Sequence, residues 1–483
     1  MGMAFLPIYI KYLGMEAYGL VGIYVLLQSW FMLLDMGMTP TLSREMARFM
    51  GGGHTEKSIS DLLRSLEVLL FLIAFSVFLF FYFFSDWIAN NWISASKLSI
   101  DTIAQSIQVV GIIISLRFIE GLYRSAIVGL QDQVWLNIFL SFVAFVRSFG
   151  AVLLLIYISS DIRIFFIWQA FVSTIAVIGL LVRLRSILPV SENKAQFSWS
   201  SLREVWEFAR GMIATTFLSL MLTHADKLLL SNLLPLEDFG RYSLAWTVGN
   251  TILILVSPVA QSYGPKFTEL TASRKEKELV FTYHQGSQLM TLMVLPAALI
   301  LIFFSKELLT VWTGNAVLSA NISPLVSIIA LGTTFNALMN LPFLIQLSYG
   351  YSSFAAKVNF IELIILIPGL YFIVPKYGVM AAALIWLLIN ASYILVVLHV
   401  MHRFILKAEK FNWYFNDFLY PTIPVLLTMI FFKQILPNSE NRLVEFTFLL
   451  GVGITSFFIC LFATPLIKRP FFEFIRRSTT RYD

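Results

Sequence analysis

The sequence predicts an all-α polytopic membrane protein, built as a two-lobed helical bundle of about fourteen transmembrane segments. Three observations predict it. The 483 residues are 58% hydrophobic and only 13% charged, whereas soluble domains carry about 25% charged residues. The apolar residues come in continuous runs near 20 residues long, the length that crosses a hydrocarbon core of about 30 Å. Continuous runs also argue against a β-barrel, whose strands alternate. Finally, one phrase occurs twice: Leu13-Gly14-Met15-Glu16-Ala17-Tyr18-Gly19-Leu20, and later Leu234-Pro235-Leu236-Glu237-Asp238-Phe239-Gly240-Arg241-Tyr242. Each copy is a short polar break between long apolar stretches, the mark of a duplicated chain.

The elements follow in order. Residues 1–10 are apolar but too short for a full crossing, and read as a truncated first helix rather than a cleavable signal. Apolar runs follow at 18–42, 62–84, 103–128, 136–158 and 162–183. The polar stretch 184–205 then separates two lobes, and Trp199 to Trp206 reads as an amphipathic entry lying at the interface. The second set runs 206–231, 239–262, 284–304, 320–345, 356–374 and 378–401. The last two runs, 416–434 and 443–466, fall outside the duplicated set. The expected division is an N-terminal six-helix lobe over 1–190, a C-terminal six-helix lobe over 191–401, and two additional helices with a basic tail over 402–483. A second echo supports it. The polar turn Gly129-Leu130-Gln131-Asp132-Gln133 precedes Asn137, and Gln346-Leu347-Ser348-Tyr349-Gly350 precedes Asn359. Six helices is an even number, so both lobes enter the membrane the same way, as parallel repeats.

The net charge of +6 is explained by loops, not by nucleic acid. Most Lys and Arg fall in alternate loops, at Arg44–Arg64, Arg183–Arg203, Lys266–Lys277 and Arg403–Lys410, and in the tail Lys468–Arg481. That bias puts both termini in the cytoplasm. Cys460 is the single cysteine, which excludes internal disulfides and thiolate metal clusters. Gly51-Gly52-Gly53-His54-Thr55-Glu56-Lys57-Ser58 tempts as a phosphate loop, but Glu56 stands where Gly must precede Lys. No cofactor, metal cluster or Ser/His/Asp set is expected. His399 and His402 read as interfacial.

Ionisable groups inside spans are the candidate functional residues, because each costs at least about 2.5 kcal/mol to insert. Arg117, Glu120 and Arg124 fall at i, i+3 and i+7 on one helix face. They read as a cationic cavity stripe with Glu120 orienting an arginine. Arg147 is mid-helix without a local partner, so it should face the cavity or reach an acid on another helix. Arg210 opens the seventh helix and could touch a phosphate or snorkel to the interface. His224, Asp226 and Lys227 cluster at that helix's far end, as a coupling site or a structural network. Asp35 and Glu67 lie at cytoplasmic helix ends beside Arg44 and Arg64, where pairing competes with a coupling role. Glu362 lies close to Lys357.

These residues also carry a resemblance. Leu13-Gly14-x-Glu16-x-Tyr18-Gly19, Leu34-Asp35-Met36-Gly37, Ser43-Arg44-Glu45-Met46-Ala47-Arg48, and Asp226-Lys227-Leu228-Leu229-Leu230 followed by Gly240-x-Tyr242-Ser243 resemble the Wzx-type polysaccharide flippases. These belong to the multidrug/oligosaccharidyl-lipid/polysaccharide exporter superfamily, with the MATE exporters and lipid II flippases. The resemblance spans about residues 5 to 466. It implies a MATE-like bundle in the bacterial plasma (inner) membrane. It also implies alternating-access transfer of an undecaprenyl-pyrophosphate-linked oligosaccharide from the inner to the outer leaflet, driven by a proton or sodium gradient. A lipid-linked oligosaccharide, a polysaccharide polymerase and a chain-length regulator are the implied partners. A surplus of cavity arginine suits an anionic head group, since guanidinium matches phosphate bidentately. A cation-coupled multidrug exporter, a lipid II flippase and a non-transporting scaffold of a synthesis complex stand as alternatives.

Overall fold

Helix formation dominates because a chain in lipid must satisfy its backbone internally. The computed structural model describes residues 2–35, 37–188, 195–199, 203, 217, 220, 221, 223–437 and 441–479, and these are helical or in short turns. It divides into two compact units, Met1–Gly240 and Arg241–Asp483.

The first unit holds α1 (Gly2–Leu13), α2 (Met15–Phe31), α3 (Met38–Met50), α4 (Glu56–Asn91), α5 (Ile100–Gly129), α6 (Gln133–Tyr157), α7 (Ile162–Ile187), the helical stretch 223–233 (α8) and the start of α9 (Leu236–Gly249). Side chains open several of them: Thr55 accepts from the Ser58 amide, Ser99 from Thr102 and Asp161 from Arg163. Each satisfies an otherwise orphaned N–H of a first turn. α5 packs against α3, α4 and α7 and is the most buried helix of the unit, with Ile113, Ile114, Phe118, Leu122 and Ala126 inside. α4 instead turns Phe71, Phe75, Phe83 and Phe84 outward, which suits a lipid-facing surface.

The predicted span 18–42 is corrected. α2 stops at Phe31, a 3₁₀ turn covers Met32–Asp35, and Gly37 takes a left-handed φ of 75°. The Asp35 carboxylate accepts from the Thr39 amide at 3.2 Å and also from its hydroxyl, so it starts α3 as a separate helix. α3 carries Arg44, Glu45 and Arg48 and leaves the crossing to α2.

The two copies of the repeated phrase meet. A Cβ on Gly19 would lie 2.3 Å from the Leu236 carbonyl oxygen, and one on Gly240 would lie 2.5 Å from that of Met15. Only glycine allows backbones so close. The loop after α4 binds both phrases. Glu16, buried, accepts from the backbone amides of Ser96 at 2.6 Å and Lys97 at 2.9 Å, and Lys97 Nζ reaches Glu237 at 2.6 Å. The expected shared turn at each phrase is therefore also a contact between them.

The second unit continues α9 and adds α10 (Leu253–Ala272), α11 (Glu276–Phe303), α12 (Ser305–Thr313), α13 (Ala316–Leu338), α14 (Asn340–Ser348), α15 (Ser352–Ser392), α16 (Leu398–Phe404), α17 (Lys410–Asn412), α18 (Tyr420–Gln434), α19 (Arg442–Phe462) and α20 (Pro465–Thr479). Two stretches are π-helical, Tyr393–Val397 and Trp413–Leu419. α11 is the centre of this unit and packs against α10, α13, α18 and α19. Phe267, Tyr283, Leu398 and Trp413 form one apolar core around it, and Leu292, Phe304, Val425 and Leu449 another.

Among the described residues, eleven helices are long and apolar enough to cross a membrane. The remaining predicted segments account for themselves. The first is the twelve-residue α1. The run 206–231 lies mostly outside the described residues. The runs 356–374 and 378–401 join as one helical stretch, α15 continued by the π turn and α16, interrupted at Gly378, whose φ of 66° and ψ of −155° are not helical.

Candidate functional site

α5 and α6 bring three charges together inside the first unit, and α7 adds a hydrogen bond to one of them. Arg117 and Glu120 are one turn apart on α5, so their side chains stack over the same face. Arg117 Nη1 donates to both Glu120 oxygens, at 3.0 and 2.9 Å. Arg147, from α6, approaches the same carboxylate at 3.9 Å and donates to Ser173 Oγ on α7 at 3.3 Å. Trp168 Nε1 bonds the Arg147 carbonyl at 3.2 Å, anchoring α6 to α7. A Cβ on Gly150 would strike the same indole at 2.2 Å, so this glycine lets the ring sit flat on α6. Tyr24 of α2 also lies beside Arg117.

The charge count decides what this trio can do. Two guanidiniums share one carboxylate, so the cluster carries a surplus positive charge. Both are mostly buried, at 21% and 15% side-chain exposure, and the Nε of each has no hydrogen-bond partner among the described residues. A guanidinium offers five donors in a planar fork, more than Glu120 can accept. The unmet donors and net charge suit an anion with several oxygens, such as a phosphate.

The other expected residues fall elsewhere. Arg124 is exposed and is not part of the trio: it keeps the same side of α5 but lies two turns, about 10 Å, further along the axis. Glu67 is buried and tied to Arg64 at 3.3 Å, Tyr123 at 3.3 Å and Arg185 at 3.4 Å, which makes it a joint between α4, α5 and α7. Asp35 caps α3 instead of pairing with Arg44, which bonds Glu45. Asp226 pairs with the neighbouring Lys227 at 3.4 Å, and Lys227 also donates to the Thr223 carbonyl at 3.2 Å. His224 Nδ1 has no partner among the described residues. Arg210 lies outside the described residues.

Glu45, on the amphipathic α3, collects Arg48 at 2.9 Å and His54 at 2.7 Å as well as Arg44. Burial pushes this carboxyl up, but the hydrogen bond to His54 and the charges of Arg44 and Arg48 outweigh burial and hold it below the usual range. A lowered carboxyl stabilises the fold above its unfolded pKa of about 4.3 and loses that contribution as pH falls through the folded value. We therefore expect the acid side of the thermal-stability profile, below about pH 4.3, to flatten in Glu45→Gln. An unchanged profile would remove Glu45 from the acid response.

The second unit holds a different chemistry. A cavity of about 210 Å³ is lined by Asn336, Asn340, Phe343, Gln346, Asn359 and Tyr393. Asn336 donates to Asn390 at 2.9 Å. The Tyr393 hydroxyl contacts Glu362 and donates to Asn359 at 3.2 Å. Glu362 thus meets Tyr393, the first residue of the π-helical stretch Tyr393–Val397. Asn340 Oδ1 is buried without a partner among the described residues. The repeat that matches Asn137 to Asn359 sets the Arg117 stretch of α5 against this amide-rich stretch. That correspondence was the signal available for finding it. His284, Gln288, Glu409 and Asp417 form a further polar cluster that single-residue reading passed over.

Comparisons with known proteins agree with this architecture. The family described as "Polysaccharide biosynthesis protein" matches residues 1–271, and the family MatE matches residues 212–372. A curated relative, the "Putative O-antigen transporter" of Shigella flexneri, is 25% identical over 389 residues, covering 77% of this chain and 87% of that one. Among solved structures, the lipid II flippase MurJ in an inward closed conformation aligns with a TM-score of 0.69 at 15% identity, covering 95% of this chain and 97% of that one. An inward-facing multidrug resistance MATE family transporter aligns with a TM-score of 0.64 at 10% identity, covering 81% and 92%. The structural likenesses show a shared fold.

Proposed function

Because the chain belongs to the polysaccharide biosynthesis protein family, we propose that it is a flippase for a lipid-linked oligosaccharide. In this reading it carries an undecaprenyl-pyrophosphate-linked repeat unit from the inner to the outer leaflet of the bacterial plasma membrane. It does so by alternating access, with both termini cytoplasmic and an ion gradient as the drive. The lobes are 1–190 and 191–401, with 402–483 appended, and a polymerase and chain-length regulator receive the product.

The observation that carries the reading is the surplus guanidinium of the Arg117–Glu120–Arg147 cluster. A pyrophosphate cannot cross hydrocarbon unaided, and a mostly buried arginine fork replaces its water with charge-assisted hydrogen bonds. The neutral amides of the second-unit cavity complement this. Asn and Gln offer both donors and acceptors, which is what sugar hydroxyls need. A cationic drug would meet net positive charge at the first cluster, so the multidrug alternative is disfavoured.

The test is complementation. In a bacterial strain whose own O-antigen transporter has been removed, expression of this chain is expected to restore lipid-linked polymer at the cell surface. A well-inserted protein that restores none, with repeat units still accumulating on the inner leaflet, would overturn the reading.

A further inference from the structure

We propose that His284, Asp417 and Glu409 form a proton-binding site, and that a proton gradient acts on this transporter there. The proposal rests on the flippase reading for its second half only.

The argument begins with hydrogen-bond complementarity. His284 Nδ1 lies 2.5 Å from Asp417 Oδ2, and Nε2 lies 3.0 Å from Glu409 Oε2. A neutral imidazole has one N–H, and ionised carboxylates only accept. Both contacts can be hydrogen bonds only if the cluster holds one more proton than neutral histidine with two carboxylates. That proton makes an imidazolium or, equivalently, one carboxylic acid. Remove it and Nε2 can no longer donate to Glu409; its lone pair is left to the Asn412 amide, 3.2 Å away, while the Glu409 carboxylate loses the cation beside it. Asp417 is 1% exposed and His284 5%, and a carboxylate so buried is stabilised chiefly by a cation and hydrogen bonds beside it.

The proton also holds structure together. Asp417 Oδ1 accepts from Gln288 Nε2 at 3.0 Å, and the Asp417 carbonyl accepts from Thr291 at 2.8 Å. Gln288 in turn accepts from the Leu466 amide at 3.0 Å. One proton therefore sits beneath α11, the segment 409–419 and the entry to α20. Asp417 belongs to the π-helical stretch Trp413–Leu419, a local geometry that concentrates at functional sites. A cavity of about 630 Å³, lined by Lys277, His284, Gln288, Asn412, Asn416 and Asp417, reaches the cluster. It opens among the helix ends that the basic loops assign to the cytoplasm.

The surrounding groups leave the proton to this cluster. On α11, Lys277 lines the cavity and the Tyr283 hydroxyl has no partner among the described residues. On α16, His402 already bonds the Leu398 carbonyl through Nδ1 at 3.0 Å. On the 409–419 segment, Lys410 is the nearby cation, Tyr414 bonds the Ile394 carbonyl, and Asn412 donates to Glu409 Oε2 at 3.0 Å. That Asn412 amide is the main reason the Glu409 carboxyl is held below its usual range; burial opposes it and His284 adds to it. α20 contributes the Leu466 backbone amide.

Two measurements test the proposal on the full chain. Nitrogen-15 spectra of the protein with all five histidines labelled, in lipid nanodiscs between pH 6 and 8, report protonation directly. One doubly protonated histidine is expected at pH 7.5, absent in His284→Gln and neutral in Asp417→Asn. A neutral His284 throughout, with no protonated carboxyl at Asp417 or Glu409 by infrared difference spectra, would overturn the site. In the complementation strain, Glu409→Gln, the most exposed of the three, is expected to lower surface polymer at least tenfold at unchanged protein level. If Glu409→Gln and His284→Gln both export normally, the coupling role fails while the flippase reading stands. If the wild-type chain exports nothing yet His284 is protonated, the flippase reading and the coupling role fail and the proton site stands.

Discussion

Arg117→Ala is expected to reduce surface polymer by about 100-fold or more, because losing a buried charge partner of the bound phosphate costs about 2–5 kcal/mol of binding, at about 1.4 kcal/mol per tenfold. The loss has two parts. Glu120 keeps only Arg147, at 3.9 Å, so the carboxylate is poorly compensated in a site where it is 8% exposed. The cluster also loses its surplus charge and becomes neutral, which removes the attraction for a phosphate. Arg147→Ala should act similarly, with the added loss of the Ser173 bond. Arg117→Lys separates the two parts. It keeps the charge but replaces the planar fork with a point charge, so an intermediate loss is expected. Each variant must be shown to insert at wild-type level. Normal surface polymer in both alanine variants would sink the cavity assignment.

The second large effect concerns the two phrases. Gly19→Ala places a methyl 2.3 Å from a backbone oxygen, and Gly240→Ala places one 2.5 Å from another. Neither neighbour is a side chain that can swing aside, so a helix must move. Overpacking of this kind costs about 1–3 kcal/mol. The two sites share a contact, so the double variant should cost less than the sum. Gly451→Ala is the control. It meets nothing within 4 Å, and alanine favours a helix over glycine by about 1 kcal/mol. Thermal unfolding in detergent reads all four variants. Melting of Gly19→Ala and Gly240→Ala at the wild-type midpoint would mean that the phrases do not need their close approach.

What the sequence made legible follows from range. Helices are local, and run length alone identified the spans, including the division near Gly378. Arg117 and Glu120 were legible as a pair because a helix puts i and i+3 on one face. Arg147 was legible as a residue that had to face a cavity or reach an acid on another helix, but nothing in the chain said which acid. His284 and Asp417 are 133 residues apart, and each alone looks like a stray polar group in an apolar run. Their significance arises only when two helices lay them side by side. The error at 18–42 has the opposite cause. Hydropathy carried the run through Asp35 and Gly37, whereas a carboxylate accepting from Thr39 and a left-handed glycine end it.

The meeting of Gly19 with Leu236, and of Gly240 with Met15, has the form of an isologous contact. The same surface patch occurs on both sides, each glycine receiving the other copy's backbone. Two separate chains related by a two-fold axis would touch in this way. In this chain the contact lies within Met1–Gly240, so a substitution at either glycine presses on the backbone that carries the other.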